Sequence, residues 1–139
     1  MKKILLILLL TIPFIGFGQN VKFDNELIHE GKMYYFEGSP FNGMKISQYT
    51  SGGSSIFTMK NGLPNGLYQS FYSNGKLNWM GNYINGFNRD GMWKRWYENG
   101  QLWSIMIYDG VNGDISTVTT NGLISIQCWD EDGNEISCE

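Results

Sequence analysis

The sequence predicts an all-β fold: an elongated antiparallel meander of about four stacked β-hairpins, preceded by a signal-peptide helix. Three observations predict it. Glycine follows Asn or Asp eleven times among eighteen glycines, a segment of about 25 residues recurs, and apolar residues alternate with polar ones at strand period. The pairs begin at Asn42, Asn61, Asn65, Asn74, Asn85, Asp90, Asn99, Asp109, Asn112, Asn121 and Asp132.

Residues 1–18 have the features of a secretory signal peptide. Lys2 and Lys3 precede an apolar run from Ile4 to Ile15, and small residues follow it. That run is shorter than the roughly 20 residues that a membrane-spanning helix needs, although a retained membrane anchor is the alternative. We therefore expect cleavage near Gly18, a mature repeat domain over residues 19–139, and a periplasmic or extracellular protein with no transmembrane segment in the mature chain.

The Asn-Gly pairs are the strongest local signal for hairpins. In a two-residue hairpin loop both central positions can require a positive φ, which Gly adopts freely and Asn or Asp adopts at low cost. So many pairs indicate an array of hairpins in which the repeated turn sets the register of each strand pair.

The middle of the chain contains two similar copies of one unit. Residues 65–86, "NGLYQSFYSNGKLNWMGNYING", align with residues 90–110, "DGMWKRWYENGQLWSIMIYDG", and weaker copies occupy residues 42–62 and 112–133. A unit of this length cannot bury its apolar face alone and must stack on its neighbours. The spacing therefore predicts about four units in one mature domain.

Each unit contains two candidate strands. In the second of these, Leu77, Trp79 and Tyr83 alternate with polar Lys76 and Asn78, which is the period-2 pattern of a strand with one buried face. No window of the mature chain shows a helical apolar stripe, and glycines interrupt the sequence too often for long helices. The mature chain should be nearly all β.

The two central copies also resemble a known repeat. Each has Gly followed by an aromatic residue, an aromatic-Tyr pair, a second Gly and Leu, and a Tyr before the next Gly, as in "GMWKRWYENGQLWSIMIYDG". This pattern resembles the MORN repeat, in the variant found in bacterial YwqK-family antitoxins. The lead-in at residues 31–46 is similar to the start of such proteins, so the resemblance covers roughly residues 31–133. It implies an extended sheet of stacked hairpins that acts by binding and has no catalytic machinery.

The charge of the mature chain argues against nucleic acid as a partner. Without Lys2 and Lys3, eight basic residues stand against thirteen acidic ones, a formal charge of −5. Phosphate binding requires clustered Lys and Arg, and the single adjacent basic pair is Lys94-Arg95.

No set of residues predicts an active site, a cofactor site or a metal site. His29 is the single histidine, and a Ser or Cys nucleophile usually needs a histidine base held by a carboxylate. One His and two Cys at this spacing match no zinc pattern. The acidic stretch "DEDGNE", residues 130–135, resembles a calcium loop, but the EF-hand spacing is absent, which favours a solvated turn. We expect that the protein is not an enzyme and that it binds neither a cofactor nor a metal ion.

Cys128 and Cys138 predict a disulfide. They lie five positions on either side of Gly133, so they can face each other across a terminal hairpin. An exported protein is expected to oxidise such a pair, and two reduced thiols are the alternative. The bond would stabilise the last hairpin without a catalytic role.

Aromatic residues of the second half are the candidate binding residues. Their rings either pack the inner face of a thin sheet or form a row on its surface for a partner. Trp93 and Trp96 are three residues apart, so regular pleating places them on opposite faces, unless a bulge intervenes. The candidates are Tyr68, Tyr72, Trp79, Trp93, Trp96, Tyr97 and Trp103.

These features predict an exported, non-enzymatic repeat protein that presents a binding surface to another protein, in one form an antitoxin or immunity partner. A carbohydrate-binding module of the cell envelope is the alternative. Choline-binding repeats, which are also hairpins rich in aromatic residues and Gly, support that alternative, although their Trp-Tyr-Tyr spacing is not matched here.

Overall fold

The computed structural model describes residues 20–110 and 122–138, and in these ranges the protein is all β. The predicted fold class is confirmed. The predicted signal-peptide helix lies outside the described residues, as do the positions of Asn112 and Asn121. Nowhere in the described ranges is there a helix with the length and hydrophobicity needed to cross a membrane.

Twelve strands and one 3₁₀ turn make up the described chain. The 3₁₀ turn is Asp24–Glu26. The strands are β1 Val21–Phe23, β2 Ile28–Glu30, β3 Met33–Phe36, β4 Ser39–Pro40, β5 Gly43–Gln48, β6 Ser54–Lys60, β7 Leu63–Phe71, β8 Leu77–Ile84, β9 Asn88–Trp96, β10 Leu102–Tyr108, β11 Leu123–Trp129 and β12 Glu135–Ile136.

Nine of these strands form one open sheet in the order β1-β5-β6-β7-β8-β9-β10-β11-β12. From β5 onward each strand pairs antiparallel with the next, which is the predicted meander. The strands group into four hairpins, β5–β6, β7–β8, β9–β10 and β11–β12. The first three coincide with predicted units, whereas the predicted fourth unit began at Asn112, outside the described residues, and the last hairpin spans Leu123–Ile136. The edge strand β1 pairs parallel with β5, and β2, β3 and β4 form a separate small sheet.

The turns that connect consecutive strands of the sheet are of two kinds. Within the hairpins, the turns begun by Tyr49, Tyr72, Tyr97 and Asp130 share one pattern: the first residue's N–H donates to the carbonyl four residues on, and the N–H of the fourth residue, a Gly, donates back to the first carbonyl. That Gly has a positive φ, which defines a three-residue turn with a glycine bulge.

Between the hairpins the turns are different. Asn61 and Gly62 have φ values of 50° and 78°, and Asn85 and Gly86 have 48° and 99°. Only at these Asn-Gly pairs of the described chain do both residues adopt the positive φ expected from the sequence. The two-residue hairpin loop expected from the Asn-Gly pairs is therefore absent at Asn74 and Asn99, which keep negative φ and act through their side chains.

Three of the Asn-Gly and Asp-Gly pairs in the described chain are not turns: Gly43 begins β5, and the other two pairs lie within strands. Gly66 and Gly91 lie inside β7 and β9, with φ values of 116° and 64°, where the pairing of β6 with β7 and of β8 with β9 changes register. A positive φ serves a bulge in a strand as well as a turn, so the dipeptide alone does not separate the two. The two bulges occupy equivalent positions in successive units.

Side chains in the turns of the two central hairpins bind the backbone of the next hairpin. The Tyr72 hydroxyl donates to the Trp96 carbonyl at 2.7 Å, and the Tyr97 hydroxyl donates to the Trp129 carbonyl at 3.0 Å. Asn74 Nδ2 donates to the Glu98 carbonyl at 3.1 Å in the same direction. These bonds fix the stacking of one unit on the next in addition to the strand ladder.

The two faces of the nine-stranded sheet carry different residues. One face, called the aromatic face below, carries Tyr68, Trp79, Tyr83, Trp93 and Tyr108. The opposite face has a smaller apolar cluster near β1, formed by Met44, Ile46 and Ile56 with Phe23 and Phe71 packed against them.

At the β5 end, the N-terminal segment covers part of the aromatic face. Lys45 is 4% exposed, and its ammonium group lies 2.7 Å from Asp24 Oδ1 and 4.5 Å from the centroid of the Tyr34 ring. His29 is exposed on β2 and stacks on Tyr34, with ring centroids 4.4 Å apart, in agreement with its expected place before the repeats.

A disulfide joins Cys128 and Cys138, whose Cα atoms are 5.5 Å apart. The ladder register differs from the expected one, because Cys128 faces Ile136 rather than Cys138. The glycine bulge at Gly133 shifts the pairing, so the bond runs diagonally beyond the end of β12. A disulfide is compatible with an exported protein.

Candidate binding face

Trp93 is the centre of the aromatic face. Its side chain is fully buried, and the indole lies directly over Gly81 of the neighbouring strand, where a Cβ atom would overlap the ring. Its Nε1 donates to the Asn82 carbonyl at 3.1 Å, and the Tyr83 ring packs edge-on with centroids 4.8 Å apart. Trp93 therefore has no surface to offer a partner, and its prediction as a contact residue is corrected to a core residue.

Two arginine side chains lie between the aromatic rings of this face. The Arg89 guanidinium carbon is 4.5 Å from the centroid of Trp93, and its Nη1 donates to the Tyr108 hydroxyl at 3.0 Å. The Arg95 guanidinium carbon is 3.5 Å from the centroid of Trp103 and 4.9 Å from that of Trp79. Stacking of this kind favours Arg over Lys because the guanidinium is planar and weakly hydrated.

Neither guanidinium has a carboxylate partner in the described part of the chain, where the ion pairs are Lys22–Glu26 and Lys45–Asp24. Arg95 Nε is buried without a hydrogen-bond acceptor. Burial lowers the pKa of Arg95 from its ordinary value, which is the direction expected when a cation loses water without gaining an anion.

The side chains of the adjacent basic residues Lys94 and Arg95 lie on opposite faces of the sheet. Lys94 pairs with Met80 and Ile105 in the ladder and belongs to the face opposite to Arg95. Arg95 pairs with Trp79 and Ser104 on the aromatic face. The two basic side chains therefore do not contribute to one surface.

Trp103 and Tyr97 extend the aromatic face toward the last hairpin. Their rings stack with centroids 4.8 Å apart and an interplanar angle of 6°. Trp103 is the extra residue where the pairing of β9 with β10 changes register between Leu102 and Ser104. The bulge turns its ring toward Tyr97 and Arg95, and both rings remain partly exposed.

A groove of about 390 Å³ opens on the aromatic face near the hairpin turns. Its lining includes Tyr49, Ser70, Tyr72, Asn78, Trp79 and Glu98. Ser70 Oγ and Asn78 Oδ1 are buried there without a hydrogen-bond partner. Buried polar atoms are normally satisfied, so two unsatisfied atoms in one groove call for an explanation.

The tyrosines of this face are neutral hydrogen-bonding groups. Burial raises the pKa of Tyr68, of Tyr72 and of Tyr83 above the ordinary phenol value. At neutral pH each therefore keeps its proton, so the face presents cationic guanidinium groups and neutral hydroxyls.

The structure brings most of the predicted binding residues together. Tyr68 stacks on Trp93 at 5.6 Å between centroids, and Tyr72 lines the same groove as Trp79. Trp96 lies apart, because it pairs with Leu102 on the face opposite to Trp93, as its spacing predicted.

Sequence reasoning missed four residues of this face: Arg89, Tyr49, Ser70 and Asn78. The turn residue Tyr49 is an equivalent of Tyr72 and Tyr97, which the shared Tyr-x-x-Gly spacing of the turns could have shown. The others carry no sequence signal, since their role depends on rings from neighbouring strands.

The described residues include no group of three or more His, Cys, Asp or Glu side chains placed to hold a metal ion. Asp130, in the stretch considered as a calcium loop, accepts hydrogen bonds from the N–H groups of Asp132 and Asn134 at 3.0 and 2.8 Å. These bonds, the one from Asn134 first, lower the pKa of the Asp130 carboxyl. Its carboxylate therefore caps the terminal turn.

The fold and the aromatic face define an all-β hairpin-repeat protein with a ring-lined surface. Residues 64–85 and 89–109, which are the two central hairpins, match the family model of the MORN repeat variant. No curated protein and no solved structure matches the chain significantly. The resemblance seen in the sequence is thus confirmed for these two units. MORN repeats are a non-catalytic repeat type and generally serve as protein- or membrane-binding modules.

Proposed function

We propose that this protein is exported after cleavage near Gly18 and binds another protein through its aromatic face, without catalysing a reaction. The observation that carries the proposal is the stack of Arg95 on Trp103, with Arg95 Nε buried and unpaired. The half-buried Arg95 side chain has no carboxylate partner among the described residues, and Trp, Tyr and Arg are the residues that dominate protein interfaces.

The same observation defines the chemistry of the partner. The stacked guanidinium groups of Arg89 and Arg95 hold positive charge against the rings in a chain whose mature sequence is acidic overall. A partner that places a carboxylate at Arg95 gains a charge-assisted hydrogen bond. The partner is therefore a protein with an acidic side chain beside an apolar contact patch. A secreted immunity or antitoxin-like pair is one concrete form of this interaction.

Affinity capture tests the proposal. The tagged mature protein is exposed to an envelope extract of the source cells, together with Trp103→Ala and, as a matched control on the opposite face, Trp96→Ala. We expect a specific protein to be retained by the wild type and by Trp96→Ala, and recovery to fall at least ~10-fold for Trp103→Ala. Equal recovery by both variants, or recovery of polysaccharide with no protein, would contradict the proposal.

The cell-envelope carbohydrate module stays the second candidate function. The observation that favours it is the groove near Trp79, with two unsatisfied polar atoms beside aromatic rings. Retention of the protein on envelope polysaccharide, lost when the groove is filled, is the result expected from that function.

A further inference from the structure

We propose that the groove between Tyr49 and Glu98 is a binding site for a neutral saccharide; this inference rests on the second candidate function above and is independent of the protein contact at Arg95. Both walls of the groove are aromatic, with Tyr49 48% exposed on one side and Trp79 on the other. Its volume of about 390 Å³ is at the lower end of the ~300–1,000 Å³ typical of small-molecule sites.

Ser70 forms part of the floor, and a second serine lies beside it in the ladder. Ser55 and Ser70 are neighbours in the ladder between β6 and β7, and they are 0% and 5% exposed. The next residue in the row, across β8, is Trp79. Because the serine side chains are small and the Trp79 ring is large, the surface is lower at Ser70 than at Trp79. This depression is the groove.

The groove contains two polar atoms that the protein itself does not satisfy. Ser55 Oγ is bonded to the Tyr49 hydroxyl at 2.7 Å, whereas Ser70 Oγ and Asn78 Oδ1 have no partner. Burial raises the pKa of Tyr68, and a side-chain contact with Ser70 opposes that rise as a hydrogen bond does, but the contact at Ser70 Oγ lies outside the distance and angle limits of a hydrogen bond. Each unsatisfied buried group costs about 1–3 kcal/mol, which a ligand hydroxyl in the groove would relieve.

Comparison with the next unit shows that the groove is a local departure from the repeat. The residues 25 positions after Ser70 and Asn78 are Arg95 and Trp103, and each pair occupies the same place in its hairpin. Asn78 and Trp103 both lie where the ladder changes register. In the later unit the guanidinium and the indole stack and fill the space, whereas in the earlier unit Ser and Asn leave it open.

The chemistry of the lining selects the ligand. A sugar hydroxyl both donates and accepts, so it can donate to Asn78 Oδ1 and accept from the Ser70 hydroxyl. The C–H faces of a sugar ring carry the partial positive charge that packs against the negative face of an aromatic ring. The carboxylate of Glu98 at the rim disfavours an anionic ligand. These groups together fit a neutral saccharide.

NMR titration of the full mature chain tests the site. The probes are glucose, galactose, mannose and N-acetylglucosamine up to tens of millimolar, with glucuronate as the anionic counterpart of glucose. We expect at least one neutral sugar to shift the Trp79 indole N–H and the Asn78 amide resonances, and glucuronate to bind at least ~10-fold more weakly than glucose.

Two variants in the groove, Asn78→Trp and Ser70→Ala, and one control variant test whether the sugar binds there. Asn78→Trp copies the residue of the next unit and should abolish the shifts, while Met80→Trp, on the other face of the same strand, should leave them. Ser70→Ala removes an unsatisfied hydroxyl, so the melting temperature should stay equal or rise while sugar affinity falls about 10-fold. Circular dichroism confirms the fold of each variant.

Several outcomes overturn the proposal: no shift with any neutral sugar, shifts that persist in Asn78→Trp, or tighter binding of glucuronate than of glucose. Because protein capture by the Arg95 surface is measured separately, loss of sugar binding with retained protein capture rejects only the saccharide site. Loss of capture with retained sugar binding rejects only the protein contact.

Discussion

Gly81 lies directly beneath the indole of Trp93, so that a glycine on β8 makes room for the most buried aromatic residue of β9. A Cβ atom at position 81 would be 2.6 Å from Trp93 Cγ and closer still to two other ring atoms. The sheet has a single layer, and this contact lets one large ring lie flat on the backbone instead of standing out into solvent. The core of the aromatic face depends on that pairing.

We expect Gly81→Ala to lower the free energy of unfolding by about 1–3 kcal/mol, as overpacking of a tight core does. Trp93→Ala should cost about 3–5 kcal/mol. Urea unfolding followed by circular dichroism measures both. Asn82→Ala, whose side chain is exposed on the other face, is the control and should change stability by less than ~0.5 kcal/mol. A neutral Gly81→Ala would show that the ring does not lie where the structure places it.

Substitution of Asn by Gly should change the free energy of unfolding differently in the two kinds of turn. Asn61 has a positive φ, so Asn61→Gly should leave the free energy of unfolding within about 0.5 kcal/mol of the wild type. Asn74→Gly removes the bond that Asn74 Oδ1 accepts from the Lys76 N–H and the bond that Nδ2 donates to the Glu98 carbonyl, and should cost about 1 kcal/mol. Denaturant titrations of the two variants compare them directly, and equal effects would contradict the division of the turns.

The disulfide should act locally. Cys128 and Cys138 close a short loop, so Cys138→Ser should remove about 2–3 kcal/mol from the last hairpin by loop-entropy reasoning. Hydrogen exchange should show the loss of protection in β11 and β12, with β7 to β9 unchanged. Exchange that accelerates equally across the sheet would show that the last hairpin is not a separate unit of stability.

The terminal turn should also be sensitive to acid. The pKa of Asp130 is lowered in the folded state, mainly by the hydrogen bond from the Asn134 N–H. A carboxyl with a lowered folded pKa stabilises above its unfolded value of about 3.9, and this contribution is lost as the pH falls through the folded pKa. NMR titration should give Asp130 a pKa below the unfolded value of about 3.9, and Asp130→Asn should abolish the acid-induced change in the turn. A higher pKa for Asp130 would contradict the hydrogen bonds.

The sequence predicted the strands and three of the four hairpins because strand period and glycine spacing are local properties. It did not predict which pairs turn the chain and which form bulges, since Gly66 and Gly75 both have a positive φ and differ only in what their neighbours do. The alternation of side chains along a strand also correctly predicted that Trp93 and Trp96 lie on opposite faces.

The candidate site was less predictable because burial and stacking of its side chains depend on residues of neighbouring strands. Trp93 is buried on account of Gly81, a residue on another strand. Arg95 stacks on Trp103 because a bulge redirects that ring. The opening at Ser70 exists because two small residues meet in one row. None of these relationships can be read from spacing along a single strand.

The most direct test of the protein-binding account uses the adjacent residues Lys94 and Arg95, which lie on opposite faces. The dissociation constant for the captured partner is measured by calorimetry for Arg95→Ala and Lys94→Ala. The account predicts a loss of about 2 kcal/mol or more, at least ~30-fold in affinity, for Arg95→Ala and little change for Lys94→Ala. Equal losses, or a larger loss for Lys94→Ala, would contradict it.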